Sequence, residues 1–434
     1  MRILIIGGGG REHAMARALA TAPGCELFSA PGNPGTAALG QNVQLAAEDV
    51  DGITELVRSA AIELVVPGPE GPLVGGLVDA LGRLPDVLCC GPRQAAAALE
   101  GSKVFTRVLT RELGIPGPDY HILTAPEQIA AALQAFSRPP VLKADGLCGG
   151  KGVFVPESFA ECEVRAQKLL GGALGAAGRR VVLEERLLGT EASLFFACHG
   201  EQCLALPHAR DHKRLRDGDA GPNTGGMGAV SPNPTVDAAL SAQIAAEFVR
   251  PVLRELQRRG TPFVGFLFVG LMLTANGPRL LEFNVRLGDP EAQAILPRLA
   301  AGEFLRLCLA TARGELSDFC LALDSRPSCA VVLAADGYPD RSCRGARLEL
   351  DPELTTEQRW FIHAGTTAAD GALRGSGGRV GAIVAQGATA QAAREHAYAG
   401  LAHVRFAQMQ YRTDIGAPRS EERRVGKECL RLCR

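Results

Sequence analysis

The chain contains few aromatic residues and no long apolar run. Only 5% of its 434 residues are aromatic, with one tryptophan and four tyrosines. No apolar stretch approaches the roughly 20 residues that cross a bilayer, and the run at residues 3–6 is too short for a secretory signal. We therefore expect a cytoplasmic location and no membrane partner.

An excess of charge of either sign is also missing. The formal net charge is -1 at pH 7, with 46 basic and 47 acidic residues. An extended surface for nucleic acid needs clustered positive charge, so this balance argues against a nucleic-acid partner. A local basic pocket for phosphates remains compatible with it, and we expect a small-molecule ligand.

The 13 cysteines lack the paired spacing of a zinc site. They are scattered, and several lie in apolar stretches such as Cys89-Cys90. We interpret them as buried free thiols. The hydrophobic content of 46% is ordinary for a globular chain, and the length predicts roughly three domains.

The N-terminal segment predicts a strand, a glycine turn and a helix. An apolar strand at residues 3–6 runs into Gly7-Gly8-Gly9-Gly10 and then an alanine-rich helix to about Thr21. In a dinucleotide fingerprint read from Gly7, the third glycine would fall on Glu12, where close packing of strand and helix needs a minimal side chain. This mismatch argues against a nicotinamide oxidoreductase.

Alternating strands and helices predict the domain organisation. Short apolar runs that end in Pro or Gly alternate with helical segments near the N-terminus, which predicts a parallel sheet ending near Pro92. A helical stretch at 94–113 leads to the next unit. The predicted divisions are 1–100, 101–325 (with subdomains 118–190 and 191–325), 326–419, and a charged tail, 420–434, that we expect to be disordered or foreign to the domain.

A carboxylate and an amide two residues apart predict a metal site. Glu282 and Asn284 share one face of an apolar strand, while Phe283 and Val285 point away. Two hard oxygen ligands suit Mg²⁺, which completes its coordination with water and phosphates. An edge strand with a wet polar face is the alternative, and the following Arg286, with Gly288 and Asp289 beyond it, favours the metal site.

A lysine and a glycine-rich loop predict a phosphate site. Lys143 ends an apolar strand, and residues 146–152 supply many backbone N–H groups. The spacing does not fit a P-loop, because Gly146 is one residue too close to Gly150-Lys151 and Gly152 takes the hydroxyl position. A mobile surface loop is the alternative. Downstream, Glu184 and Glu185 enter a predicted hinge; each acid alone could equally be a solvated surface residue.

Together these features resemble the ATP-grasp superfamily and, within it, the phosphoribosylamine–glycine ligase family (glycinamide ribonucleotide synthetases). The resemblance covers residues 1–416. It is carried by Gly9-Gly10-Arg11-Glu12-His13-Ala14, Ala30-Pro31-Gly32-Asn33, Gly68-Pro69-Glu70, Asp211-His212-Lys213-Arg214, Gly221-Pro222-Asn223-Thr224-Gly225-Gly226-Met227-Gly228 and the block 286–291.

The resemblance implies a multidomain protein of α/β and α+β class. A Rossmann-like parallel sheet would come first, an ATP-grasp centre of two subdomains second, and a small C-terminal α+β domain last. It implies ATP-dependent ligation of glycine to 5-phosphoribosylamine in purine biosynthesis, with release of ADP and phosphate. Glycine's carboxylate would attack the γ-phosphate to give glycyl phosphate, which the amine then captures. We expect a monomer whose cofactors are ATP and Mg²⁺ or Mn²⁺.

The family's functional positions carry over residue by residue. ATP contacts are implied for Lys103, Lys143, Gly149, Gly150, Lys151, Glu184, Glu185, Leu187 and Glu191, and metal contacts for Glu282 and Asn284. Substrate contacts are implied for Gly10, Arg11, Glu12, His13, Pro31, Gly32, Asn33, Gly68, Pro69, Glu70, Asp211, His212, Lys213, Asn223, Thr224, Gly225, Gly226, Met227, Arg286, Gly288 and Asp289. Catalytic roles are implied for Arg286, Asp211, Lys213 and Asp289, with Asp211 and Asp289 as candidates for the glycine ammonium.

Two blocks depart from the family's usual pattern. Cys148-Gly149 replaces Ala-Ala in the phosphate loop, and Leu287 replaces Phe. Neither change removes a charge, but an extra glycine is expected to raise the entropy lost on loop closure, and Cys148 could make the loop sensitive to oxidation. A binding protein without catalysis and an ATP-grasp ligase with another acceptor remain the alternatives.

Overall fold

The computed structural model describes residues 1–149 and 152–417. The predicted tail at 420–434 and the phosphate-loop residues Gly150 and Lys151 lie outside this part of the chain. No helix among the described residues is long and apolar enough to cross a membrane.

A five-stranded parallel sheet forms the N-terminal region, in the order β3-β2-β1-β4-β5. The strands are β1 (Arg2–Gly7), β2 (Glu26–Pro31), β3 (Gln41–Asn42), β4 (Leu64–Pro67) and β5 (Leu88–Cys89). The helices are α1 (Gly10–Ala20), α2 (Pro34–Ala37), α3 (Val50–Ser59), α4 (Glu70–Val74), α5 (Leu77–Leu81) and α6 (Gln94–Gly101). The apolar run at residues 3–6 is fully buried, because helices cover both faces of the sheet. The predicted parallel sheet is confirmed.

The predicted helical stretch 94–113 is broken at Ser102. There α6 ends and α7 (Lys103–Glu112) begins, and the Ser102 hydroxyl accepts a hydrogen bond from the Phe105 N–H at 3.0 Å. A serine at this position caps the new helix, since its oxygen satisfies an N–H that has no partner within the first turn.

The first of the two predicted ATP-grasp units is a four-stranded antiparallel sheet in the order β6-β9-β7-β8. Its strands are β6 (Tyr120–Leu123), β7 (Val141–Ala144), β8 (Val153–Phe154) and β9 (Val181–Glu184). Helices α8 (Ile129–Leu133) and α9 (Phe159–Lys168) pack against it and share its apolar core.

The second predicted ATP-grasp unit is an antiparallel sheet in the order β11-β10-β16-β17. Its strands are β10 (Thr190–His199), β11 (Gln202–Ala205), β16 (Val264–Thr274) and β17 (Gly277–Asn284). Between them lie β12 (Arg210–Asp211), β13 (Arg214–Arg216), β14 (Ala220–Asn223) and β15 (Gly228–Ser231). The helices are α10 (Ala238–Ile244) and α11 (Arg250–Arg258), joined by a π-helical turn, and then α12 (Glu291–Ile295) and α13 (Glu303–Arg313).

The C-terminal region shares a sheet with the preceding domain. The order β12-β15-β18-β23-β20 joins two strands from before residue 326 to three from after it. The C-terminal strands are β18 (Ser328–Ala334), β19 (Arg347–Leu350), β20 (Arg359–His363), β21 (Thr366–Ala369), β22 (Ala372–Gly375), β23 (Arg379–Gln386) and β24 (Val404–Arg405), with helix α14 (Ala390–Ala399). Helix α14 ends at Ala399, and a 3₁₀ turn and β24 follow it.

The described cysteines are free, as predicted, but not all are buried. Cys90, Cys162, Cys198, Cys308 and Cys329 are buried. Cys320 and Cys343 are exposed, which corrects the prediction for those two, because both lie in connections outside the strands and helices.

Candidate active site

Glu282 and Asn284 lie near the end of β17. Alternate residues of a strand point to opposite faces, so these two side chains point away from the apolar core. Phe283 and Val285 are each 1% exposed and belong to the apolar core beneath the sheet. Asn284 Nδ2 donates to the Phe283 carbonyl at 3.0 Å, and among the described residues Oδ1 has no donor. The side-chain oxygen of Asn284 is therefore free to coordinate a cation.

Glu282 is an ionised carboxylate without a bonded cation among the described residues. Burial alone would raise its pKa, but the surrounding positive charge outweighs burial and lowers the pKa to about 2. The cations responsible are Lys213, Lys103, Lys143 and Arg286. An ionised carboxylate beside an amide oxygen is a donor set that fits Mg²⁺ or Mn²⁺.

Lys143 is fixed by a buried ion network. Its Nζ lies 2.9 Å from Glu184 Oε2 and donates to the Leu281 carbonyl at 3.0 Å. Arg107 makes a two-pronged bond to the same carboxylate, at 2.7 and 2.8 Å. The register of β16 and β17 shifts at Leu281, which turns its carbonyl toward these cations. Lys143 keeps a third N–H for a phosphate.

The phosphate loop is anchored at its first residues. Asp145, directly after β7, accepts from the Ser102 hydroxyl at 2.8 Å and the Val104 N–H at 3.1 Å, and it pairs with Arg180. These bonds join the loop to the N-terminus of α7, which carries Lys103. Gly149 has a φ of +54°, and Gly150 and Lys151 lie outside the described residues.

The acidic residues of the predicted hinge, and Glu191 after it, lie in three different environments. Glu184 is 2% exposed and held in the ion network above. Glu185 lies 3.5 Å from Arg279, and with Leu187 it lines a cavity of about 300 Å³ at the junction of the two ATP-grasp units. Glu191, at the start of β10, pairs with Lys213 at 3.1 Å.

Arg286 bridges two carboxylates from different elements. It lies 2.8 Å from Glu100 at the end of α6 and 3.3 Å from Glu70 at the start of α4. Glu100 also accepts from the Val285 N–H at 2.7 Å. Both neighbours raise the pKa of Arg286 despite its burial, so the guanidinium is permanently charged and two of its five N–H groups remain for a ligand.

The glycine turn that follows β1, together with the start of α1, lies next to the segment that carries Arg286. Arg11 pairs with Glu12 at 2.7 Å and donates to the Leu287 carbonyl at 3.1 Å. Glu12 accepts from the Gly9 N–H at 2.6 Å and fills the space against Gly7 and Gly68, where a Cβ would collide with its side chain. Glycines at those two positions thus make room for the charged residue that breaks the dinucleotide fingerprint.

The Asn33 loop ties this turn to the C-terminal region. The Asn33 amide donates to the Gly8 and Gly9 carbonyls and, at 3.1 Å, to the His363 carbonyl. The His363 N–H donates to His13 Nδ1 at 2.8 Å, and burial lowers the pKa of His13 to about 3. His13 is therefore a neutral hydrogen-bond acceptor. Pro31 and Gly32 lie directly before Asn33, and Pro69 lies directly before α4.

The loop at 223–228 lies beside Asp289 and is held from the C-terminal region. Arg379 donates to the Gly225 carbonyl at 2.5 Å and the Asp289 carbonyl at 2.8 Å, and it pairs with the Asp289 carboxylate at 3.0 Å. The Gly225 N–H donates to the Tyr338 hydroxyl at 2.9 Å. Within the loop, Thr224 bonds the Lys213 carbonyl and Met227 is fully buried, whereas Asn223 is exposed.

Asp211, His212 and Lys213 follow one another at the β12 end of the shared sheet. Burial lowers the pKa of His212 to about 4, so this ring too is neutral near pH 7. Lys213 has its pKa raised, chiefly by Glu191. The Asp211 atom Oδ1 is buried without a hydrogen-bond partner among the described residues.

The contacts described above thus link most predicted positions into one cluster, the candidate cleft, with members from the N-terminal sheet, both ATP-grasp units and the C-terminal region. Sequence reasoning did not assign a role to five residues that contact them: Arg107, Glu100, Glu291, Arg379 and Tyr338. Glu291 stood inside the motif at 286–291. The other four carried no local signal, because each reaches the site from a distant part of the chain.

Comparisons with known proteins agree with this geometry. Three family models match: phosphoribosylglycinamide synthetase N domain at 1–100, its ATP-grasp (A) domain at 101–292 and its C domain at 328–418. The chain is 44% identical to phosphoribosylamine–glycine ligase of Allochromatium vinosum over 422 residues, 96% of this chain and 98% of that protein. It is 43% identical to the Rhizobium meliloti protein of the same name over 417 residues, again 96% and 98%.

Solved structures give the same result. The phosphoribosylamine–glycine ligase of Thermotoga maritima aligns with a TM-score of 0.83 at 34% identity, covering 96% of this chain and 100% of that one. Biotin carboxylase from Campylobacter jejuni aligns at 0.70 with 13% identity, over 94% and 92%, which shows a shared fold alone. The chain therefore belongs to the phosphoribosylglycinamide synthetase family, the ATP-grasp phosphoribosylamine–glycine ligases of purine biosynthesis.

Proposed function

We propose that this cleft joins glycine to 5-phosphoribosylamine through glycyl phosphate, with Glu282 and Asn284 holding Mg²⁺. One observation carries the proposal: Glu282 is kept ionised by lysines yet bonded to none of them, beside the free amide oxygen of Asn284. When bound, the metal ion would draw charge from the β- and γ-phosphates of ATP.

Lys143 and Lys103 offset the remaining charge of the transferring phosphoryl group. The ion pair with Glu184 fixes Lys143 before ATP arrives, so little reorganisation is needed at the moment of transfer. The substrate carboxylate is the nucleophile, and no enzyme side chain has to form a covalent intermediate. The chain's contribution is to place the carboxylate in line and to stabilise charge.

Arg286 orients the carboxylate or acyl-phosphate oxygens with its two remaining N–H groups. The N-terminus of α1 offers backbone N–H groups and a positive dipole end to the sugar phosphate, with Arg11 beside it. We further propose the domain boundaries 1–100, 101–325 and 326–419, a monomeric state and a cytoplasmic location, each resting on the sequence alone.

The testing experiment measures ADP release with Mg-ATP, glycine and freshly generated phosphoribosylamine, omitting each substrate in turn. We expect release to require all three, with glycinamide ribonucleotide detected by mass spectrometry. Release with bicarbonate or another amino acid in place of glycine would favour a different ligase. Intact ATP binding with no release under any combination would favour a binding protein without catalysis.

A further inference from the structure

A second cavity, separate from the candidate cleft, lies between helix α1 and the C-terminal region. Its volume is about 350 Å³, which is within the usual range for a small-molecule site. One face of α1 forms the first wall, α12 and the segment that follows it form the second, and β20 with the end of β23 forms the third. None of the lining residues is among the predicted ATP, metal or substrate contacts, so the cavity is a different place in the fold.

Arg17 lines this cavity as a cation without a counter-ion. Among the described residues it takes part in no ion pair and no hydrogen bond, and its guanidinium carbon lies 4.9 Å from the centre of the Trp360 ring. Burial lowers the pKa of Arg17, and no neighbouring anion offsets that effect. The five N–H groups of the guanidinium are therefore available to an anionic group that enters the cavity.

The charge of the lining favours one negative charge on the occupant. The other two charged residues, Asp324 and Arg326, pair with each other at 2.6 Å. Arg17 thus leaves a single uncompensated positive charge on the cavity wall. A carboxylate matches that charge, whereas a phosphate monoester carries more than one negative charge at pH 7 and would need a further cation.

Gln293 lines the cavity at the end that faces the candidate cleft. It is 2% exposed, and its Nε2 donates to Asp289 Oδ1 at 2.7 Å. A Cβ at Gly10 would lie 2.6 Å from the same nitrogen, so the amide lies against the N-terminus of α1. The other amide atom, Oε1, is buried without a partner among the described residues. A buried acceptor is costly to leave unpaired, and a donor on a ligand would satisfy it.

The separation of these two groups favours an elongated occupant. Seven residues of α1 lie between Gly10, which Gln293 touches, and Arg17, a rise of about 10 Å along the helix. The wall between the two ends is largely apolar and includes Phe304 and Ile362. A matching ligand has a carboxylate at one end, an apolar body and a hydrogen-bond donor at the other end.

We propose that this cavity binds a small, elongated carboxylate, with its anion on Arg17 and its donor on Gln293, and that its occupancy favours glycine binding in the cleft. A donor on Oε1 keeps Nε2 directed at Asp289, because a reversed amide would place an oxygen against that carboxylate. The binding site stands independently of the proposed function. The coupling rests on it, since Asp289 is a glycine contact only by the family resemblance.

Phloretate, a phenylpropanoate with a phenolic hydroxyl at the far end, is the probe for the binding site. Trp360 is the one tryptophan of the sequence and lies on the cavity wall, so its fluorescence reports binding there. We expect a saturable change. Hydrocinnamate, which lacks the hydroxyl, and the methyl ester of phloretate, which lacks the charge, should each bind more weakly. Inorganic phosphate that binds as tightly as phloretate would contradict the assignment to a carboxylate.

Arg17→Met removes the charge but keeps an apolar side chain against Trp360. It should weaken phloretate binding at least about tenfold, as for a lost partner of a charge pair. Ala18→Leu, which fills the cavity from the same helix, is the second variant and serves if Arg17→Met does not fold. Arg313→Met removes an exposed arginine of α13 and is the matched control, with unchanged binding expected. An unchanged Kd in both cavity variants would refute the site.

The coupling is tested by linkage between the two sites. Saturating phloretate should lower the KM for glycine by about fivefold in the ADP-release assay, and glycine should in turn tighten phloretate binding measured without turnover. Gln293→Met should remove both effects. A glycine KM that phloretate leaves unchanged would disprove the coupling. If the wild-type protein shows no glycine-dependent ADP release, the proposed function fails, whereas the fluorescence titration still decides the binding site.

Discussion

At the scale of single residues, the charge of Glu282 follows from its neighbours rather than from its own exposure. Three lysines and Arg286 hold its pKa at about 2 although it is buried. A carboxylate in this state is available to a metal ion throughout the physiological pH range, since protons do not compete for it.

Glu282→Gln should therefore abolish Mg²⁺-dependent turnover, with a loss of at least about 10³-fold in kcat, because the amide cannot replace the anionic ligand. Steady-state ADP release over a Mg²⁺ titration measures this. Thermal unfolding should show a fold that remains intact. Turnover within tenfold of the wild type would mean that the metal ion binds elsewhere.

At the scale of elements, the residue at the break between α6 and α7, Ser102, both caps a helix and contacts the base of the phosphate loop. Ser102 caps α7 and also donates to Asp145 at the base of the loop. Ser158 caps α9 in the same way, accepting from the Glu161 N–H at 3.1 Å, and it makes no hydrogen bond to the described residues of the loop.

Ser102→Ala and Ser158→Ala form a matched pair. Each should lower the free energy of unfolding by about 1 kcal/mol, the usual effect of losing a serine cap. Only Ser102→Ala should also raise the KM for ATP, because it frees the loop base and Lys103. Urea unfolding and ADP release measure the two effects. A similar rise of the ATP KM in both variants would show that the hydrogen bond between Ser102 and Asp145 plays no specific part in ATP binding.

The backbone conformation of the phosphate loop accounts for its extra glycine, Gly149. At Gly149 the φ of +54° lies in the left-handed region, where a residue with a Cβ is strained. The glycine therefore fits the local backbone, and the entropy cost expected from the sequence is offset by this relief. Burial raises the pKa of Cys148, which lowers the reactive thiolate fraction and argues against a strongly oxidation-sensitive loop.

At the scale of the whole molecule, the C-terminal region contributes residues to the candidate active site. It extends the sheet that begins with β12 and β15, and Arg379 and Tyr338 hold the loop at 225–226. Its His363 is joined to the glycine turn through Asn33 and His13. If these loops place substrate groups as proposed, that placement depends on contacts between three parts of the chain.

Arg379→Lys should lower kcat/KM by about 10²-fold, because lysine keeps the charge but its single ammonium nitrogen lacks the planar pair of nitrogens with which Arg379 reaches Gly225 and Asp289. Small displacements of reacting groups are costly. Steady-state kinetics with all three substrates measures the loss. Arg405→Ala, at an exposed position in the same region, is the control and should be neutral. Full activity of Arg379→Lys would show that the loop is positioned without this contact.

The sequence by itself determined the parts of this protein that depend on local pattern. The strand at residues 3–6, the glycine turn, the pair Glu282 and Asn284, and the family motifs were all readable, because side-chain periodicity and motif spacing are properties of neighbouring residues. Family membership followed from the same blocks. The break at Ser102 was missed because the helical pattern continues across it.

Only the tertiary structure decided which charges meet. Glu184 was expected at a nucleotide hinge, yet it lies against Arg107 and Lys143; whether it also contacts ATP stays a prediction. The ion pairs of Arg286 with Glu70 and Glu100, and of Arg379 with Asp289, join residues that lie far apart in the chain. Such ion pairs depend on how sheets and loops pack against one another. No local sequence pattern specifies which distant residues come into contact, so these pairs can be identified only in the folded chain.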